Sequence, residues 1–175
     1  GISDGIALRL QHSDEQLHQS LCPPSPIARL IFDMLEQLRV ESQVTDQHPG
    51  IKQNLLYRFQ QWSLKFHYED QTETQLGLLI FTIAQASWSR LTGHPTLEEI
   101  DDVIESTRAN LSPLIGSDLL GLRKNRDKQS AYAVHALSIA TLVDESLQVG
   151  DKERALNLAE QEDTEKALNR IALSS

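Results

Sequence analysis

The sequence predicts an all-α protein, a single multi-helix domain of about six to eight helices around two enclosed ones, and three observations carry that prediction. Apolar residues recur at steps of three and four along most of the chain, and no stretch alternates with the two-residue period of a strand. Proline and glycine punctuate the periodic stretches, as CPPSP at 22–26, HPG at 48–50 and GHP at 93–95. Two stretches, 76–89 and 129–143, hold no charged side chain, so their helices are expected to be enclosed on several sides.

Taken in order, 4–11 (DGIALRLQ) is the first expected helix, able to dock through Ile6, Leu8 and Leu10. Ser13 is expected to cap a second, DEQLHQSL, with Gln16 completing a capping box. The stretch 26–44, PIARLIFDMLEQLRVESQV, is the one the chain is organised around. Ser25 can accept from a free amide of its first turn, and Pro26 gives up a donor that had no partner. Ile27, Leu30, Ile31, Met34, Leu35 and Leu38 fall on one broad arc. Glu41 lies inside that arc and Arg39 at its edge. A lone ion there would cost several kcal/mol, so each needs a partner: an internal salt bridge, a snorkelled position at the rim, or a polar patch offered to another protein.

TDQHPG reads as a turn, and 51–67 as a second amphipathic helix through Leu55, Leu56, Phe59, Trp62 and Phe66. The enclosed helix 72–91 follows, stopped by Gly93-His94-Pro95. Thr96 with Glu99 forms a capping box for a helix to about residue 110. Its first turns carry Glu98, Glu99, Asp101, Asp102 and Glu105 with no basic residue among them. They suit a solvated face near a helix N-terminus, or a docking surface for a basic partner. Ser112-Pro113 is expected to end this helix before a short one at 114–122, and RKNRDK at 123–128 reads as a basic loop. The second enclosed helix, 129–148, has Gly150 beyond it as a C-cap. From Asp151 the chain turns charged, with a narrow apolar stripe, so residues 1–150 are taken as the domain and 151–175 as a peripheral helix leading into a linker.

A chain of 175 residues with 39% apolar content can bury one ordinary core. The formal charge of −9, from 16 basic and 25 acidic side chains, argues against nucleic acid or an anionic membrane surface as a partner. Cys22, the single cysteine, cannot form an internal disulfide, which suits a cytoplasmic setting. The longest apolar run, 76–86, is interrupted by Gly77, Thr82 and Gln85 and falls well short of the roughly 18 residues of a membrane span. There is no basic-then-apolar signal pattern at the N-terminus, and a start at Gly1 reads as an excised fragment with a tag scar.

Catalytic motifs are scarce. Glu15-x-x-His18 is half of a carboxylate-bridged di-metal signature, which needs a second Glu-x-x-His and two more glutamates. Gly116-x-x-x-x-Gly121 is followed by Leu122 and Arg123 where a phosphate loop needs Lys and Ser/Thr. His135 lies between Leu142 and Ile139 on its helix, so a hydrogen-bonded core histidine is expected rather than a catalytic base. Trp62 and Trp88 are expected in the core, and Asp101 and Asp102 point to different faces.

One resemblance adds to this reading. IALRL and SDEQLHQSLCP, then ARLIFDMLEQLRVES and GIKQNL, resemble the N-terminal region of the T subunit of aerobic cobaltochelatase, the CobT family. The family pattern AR-x-x-F-[DE]-x-x-EQ-x-R-V-E, followed by G-V-x-x-N-L, is matched at Ala28, Arg29, Phe32, Asp33, Glu36, Gln37, Arg39, Val40, Glu41, Gly50, Asn54 and Leu55. Leu79, Leu91, Thr92, Gly93 and Pro95 are similar to its AL-x-LL…R-x-LTG-x-x-P, and 127–133 to its DQ-x-x-[FY]. The similarity spans 6–148, and Glu-Gln-x-Arg-Val-Glu is its most specific part. Ser13 stands where the family has the histidine of His-Asp, and Lys128 where it has Gln.

The resemblance implies a subunit that joins an AAA+ ATPase in a chaperone-like ring. With a large chelatase subunit, that assembly inserts Co²⁺ into hydrogenobyrinic acid a,c-diamide at the expense of ATP, within cobalamin biosynthesis. ATP and magnesium belong to the ATPase subunit, cobalt is a substrate of the complex, and metallation belongs to the large subunit. This region is then a non-catalytic assembly and coupling domain with no catalytic, cofactor or metal residue of its own. A von Willebrand factor A domain is expected C-terminal to it. Glu36, Arg39, Glu41 and Asn54 become candidates for a partner interface or a structural network, and self-association stays open. Two readings compete: an accessory domain of another AAA+/von Willebrand factor A pair that matures a different metalloenzyme, and an independent metal-binding bundle using Glu15, His18 and the acidic helix.

Overall fold

In the computed structural model, Arg9 and residues 12–147 are described, except for the side chains of 45–47. They form six α-helices and no strand: α1 (Glu15–Leu21), α2 (Pro26–Gln47), α3 (Pro49–Tyr68), α4 (Gln75–Thr92), α5 (Glu98–Lys124) and α6 (Gln129–Ser146). A single 3-10 turn, Gln71–Glu73, joins α3 to α4. The all-α prediction therefore holds. The expected helix at 4–11 lies almost wholly outside the described residues, as do Gly150 and the 151–175 segment.

α2 is the central element. From Ile31 to Val44 all but Asp33 and Gln43 are buried, and α2 packs on α3, α4 and α6. Its arc of Ile27, Ile31, Leu35 and Leu38 enters the core as the spacing requires. α4 is enclosed as expected, burying Ile80, Phe81, Ile83, Ala84 and Trp88. α6 is less so, because Val134 stands 64% exposed. Between α3 and α4 the core is aromatic: Phe59 stacks on Trp88 at 4.7 Å and Phe66 on Phe81 at 5.1 Å, with Trp62 among them. Both tryptophans are core residues, as predicted.

Two contacts fix the course of α5. The Tyr68 hydroxyl, at the end of α3, donates to Glu99 in its first turn at 2.6 Å. At the other end the Arg126 guanidinium donates to the Leu91 carbonyl near the end of α4 at 2.7 Å. α5 therefore runs in the same direction as α4, and residues 93–97 must return along the bundle without regular structure. Gly93 makes that reversal with φ 78°, the left-handed conformation that ends α4.

Several boundaries differ from expectation. Asp14, and not Ser13, caps α1, accepting from the Leu17 amide at 3.1 Å. Helix α2 continues through TDQ to Gln47, leaving only His48 as the joint, because Pro49 starts α3 at once and forces its predecessor out of the helical region. Thr74 caps α4, whereas neither Thr96 nor Leu97 gives α5 a side-chain cap. The largest difference is at Pro113, which lies inside α5 instead of ending it. Its missing amide frees the carbonyl of Ala109, and both residues are exposed, so that carbonyl is open to solvent. On the opposite side Ile104, Leu111, Ile115, Leu119 and Leu122 form one buried stripe that passes Pro113 without a gap.

Candidate interaction site

The polar residues of α2 that looked out of place converge on one another. Arg39 is 2% exposed and Glu36 3%. Arg39 Nε and Nη2 donate to the two Glu36 carboxylate oxygens at 2.7 and 2.9 Å, one turn apart on the helix. Nη2 also donates to the His12 carbonyl at 2.8 Å, and Nη1 to Gln43 Oε1 at 3.2 Å and the Arg126 carbonyl at 3.1 Å. All five guanidinium donors are thus engaged. Ser13 adds a donor to Glu36 Oε2 at 2.5 Å, and Tyr132 places its ring 5.9 Å from the guanidinium. One arginine thereby ties α2 to the segment before α1 and to the α5–α6 joint.

Glu41 has a different partner. It forms a buried ion pair with Arg58 of α3, which stands among Leu55, Phe59 and Trp62 on that helix's inner side. Asn54 is not brought to either pair; it is exposed on α3.

The Tyr132 hydroxyl donates to the Leu35 carbonyl at 2.5 Å, inside the core. Burial pushes its phenol well above the usual 10.0, the Glu36 charge adds to that, and Arg39 opposes it. A phenol held neutral contributes fully below the unfolded chain's value near 10, and that contribution is lost as pH rises above it, where the unfolded chain ionises first. Between pH about 10 and about 11 the unfolding free energy of the wild type is expected to fall more steeply than that of Tyr132→Phe, by up to about 1.4 kcal/mol per pH unit. Urea denaturation at the two pH values measures it; equal slopes would mean the phenol is not held neutral.

Two of the histidines pair with carboxylates. His18 is buried, stacks on Phe32 at 4.6 Å, and meets Asp33 Oδ1 through Nε2 at 2.5 Å. Glu15 points elsewhere, accepting from Gln19, so the Glu-x-x-His spacing does not converge on a metal. Among the described residues no group of three or more His, Cys, Asp or Glu side chains could hold an ion. Burial and the nearby Asp33 raise the Cys22 thiol above its ordinary value, which makes it a poor thiolate ligand. His135 departs from the expected core position: its side chain is 30% exposed, on the α5–α6 seam. It bonds Asp118 at 2.9 Å, and Asp118 also accepts from Ser138 at 2.7 Å. Gly121 makes room for the ring, since a Cβ there would overlap it.

On the other side of the bundle lies an open groove of about 600 Å³. Leu56, Tyr57 and Phe59 of α3, Trp88 of α4 and the returning segment from His94 to Glu98 enclose it. In its wall Gln85, 4% exposed, donates through Nε2 to Ser63 Oγ at 2.7 Å, and Ser63 donates onward to the Phe59 carbonyl at 2.8 Å.

The model of the family described as cobalamin biosynthesis protein CobT matches residues 1–170. The chain belongs to the CobT family. Membership gives it a role in the cobaltochelatase of cobalamin biosynthesis, a multi-subunit assembly with partner subunits. No solved structure matches the chain. Within this CobT region, Glu-Gln-x-Arg-Val-Glu turns out to be the stretch that supplies both buried ion systems: Glu36 and Arg39 to one, Glu41 to the other. Sequence reasoning missed Arg58, Tyr132 and Ser13 as their partners. A signal for Arg58 was present: an arginine at the inner helical spacing of Leu55, Phe59 and Trp62 is the natural partner of a glutamate on an apolar arc. Among the described residues no helix is long and apolar enough to cross a membrane.

Proposed function

We propose that this region of the CobT-family chain is a non-catalytic assembly and coupling domain. In this reading it works beside an AAA+ ATPase subunit and a large chelatase subunit in ATP-dependent cobalt insertion. ATP and magnesium sit on the ATPase subunit, cobalt is a substrate, a von Willebrand factor A domain follows C-terminally, and the assembly is cytoplasmic. One observation supports the reading above others: the most family-specific residues, Glu36, Arg39 and Glu41, are buried in ion pairs, and Glu41–Arg58 together with the Arg39 hydrogen bonds to the His12 and Arg126 carbonyls ties α2 to its neighbours. Groups so enclosed cannot meet a corrin or a nucleotide, yet they fix the relative placement of α2, α3 and the α5–α6 joint. A domain that passes on force or position from an ATPase requires such fixity.

The chain is expected to co-elute with the ATPase subunit in the presence of ATP on size-exclusion chromatography. Alone with Co²⁺, ATP and hydrogenobyrinic acid a,c-diamide, it is expected to form no cobalt corrin. Separate elution, or metallation by the chain alone, would overturn the reading.

A further inference from the structure

We propose that the groove between α3, α4 and the returning segment at 93–97 takes a basic amphipathic peptide segment of a partner protein. Its apolar residues would seat against Phe59 and Trp88 and its lysines or arginines against the start of α5.

Three independent features point to that occupant. The groove volume of about 600 Å³ is lined by Leu56, Phe59 and Trp88, with Tyr57 standing 63% exposed at its edge. Such a surface suits the apolar side of a helix laid into it. Second, Gln85 lines the groove with its Nε2 committed to Ser63, so its carbonyl oxygen can accept from an incoming N–H.

The third feature is charge. Glu98 closes one end of the groove, and Asp102 and Glu105 follow it at steps of four and three on α5, all exposed. Like charges one turn apart destabilise the free helix. Asp101 is relieved by Arg108 at 2.6 Å and Glu99 accepts from Tyr68, but none of the other three has an ion-pair partner among the described residues. A peptide carrying lysine or arginine there would relieve them, whereas an acidic one would be repelled.

The inference rests on the assembly reading only for which protein supplies the segment, so model peptides test it separately. A failed co-elution would leave the peptide result standing, and the converse also holds. The probe is a labelled amphipathic peptide of leucine and lysine, about four helical turns long. Its controls are a leucine/glutamate peptide and a serine/lysine peptide of equal length, all followed by fluorescence anisotropy. The leucine/lysine peptide is expected to bind at least about tenfold more tightly than either control. Tyr57→Ala, Ser89→Trp and the Glu98→Lys/Asp102→Lys pair are each expected to weaken it about tenfold. Tyr57 is largely exposed, so that variant keeps the test alive if Ser89→Trp does not fold. The proposal is overturned by no binding, by serine/lysine binding as tightly, or by indifference to Tyr57→Ala. Indifference to charge reversal overturns it as well, and would make the groove a pocket for a small apolar molecule.

Discussion

Replacing Arg39 by methionine is expected to lower the unfolding free energy by about 3–5 kcal/mol, because it leaves the Glu36 carboxylate buried without its counter-ion. The loss comes less from the attraction removed than from the charge left behind. Glu36 would keep Ser13 as a donor, but its bidentate partner would be gone, and Gln43 and the carbonyls of His12 and Arg126 would lose theirs. Urea denaturation followed by circular dichroism measures the change. The double variant Glu36→Leu/Arg39→Met is expected to recover about half of it, since no ion then remains inside, while the part-buried acceptors left without a donor keep a cost of about 2 kcal/mol together. Arg39→Lys should fall near the single variant, because an ammonium cannot reproduce a planar fork with five donors. A loss under about 1 kcal/mol would show that water reaches the guanidinium. The same series bears on the assembly reading. A variant that loses the ATPase subunit only in proportion to its unfolding places Arg39 in the scaffold, and loss from a fully folded variant places it at an interface.

The helical class and the central place of α2 were legible because both follow from apolar spacing, which local sequence states directly. The need for counter-ions at Arg39 and Glu41 was legible for the same reason: a charge on a buried arc has to be answered. Glu36, three residues from Arg39 on the same helix, and Arg58, at the inner spacing of α3, were open to the same reasoning, whereas the His12 and Arg126 carbonyls that complete the Arg39 site are brought near only by tertiary packing. Pro113 misled because proline speaks for the backbone of one turn, while the buried stripe from Ile104 to Leu122 decides whether the helix continues. The groove left no local signal at all. It arises where an irregular return segment crosses two helices, and α5 running in the same direction as α4 is a property of the whole chain. His135 was misplaced because periodicity locates a helical face but not its distance from the surface.

Two glycines allow a prediction in which local propensity and tertiary contact pull in opposite directions. Gly77 is in the first turn of α4, its amide donating to the Thr74 hydroxyl at 3.0 Å. A Cβ there would overlap the Gln71 carbonyl oxygen and come within 2.8 Å of Thr74 Oγ1, so the 3-10 turn has to move. That turn is backbone, held between α3 and α4, and shifting it also disturbs the joint beside the Phe66–Phe81 stack. Gly116 in α5 is the converse, since a Cβ added there meets nothing within 4 Å. Helix propensity alone favours alanine over glycine at both sites, by up to about 1 kcal/mol. Gly116→Ala is therefore expected to stabilise the protein by about 0.5–1 kcal/mol. Gly77→Ala is expected to destabilise it by about 2–3 kcal/mol, a fall in Tm of about 5–10 °C. Thermal unfolding of the two variants beside the wild type settles the comparison. A neutral or stabilising Gly77→Ala would mean that the turn does not pack against α4 this closely.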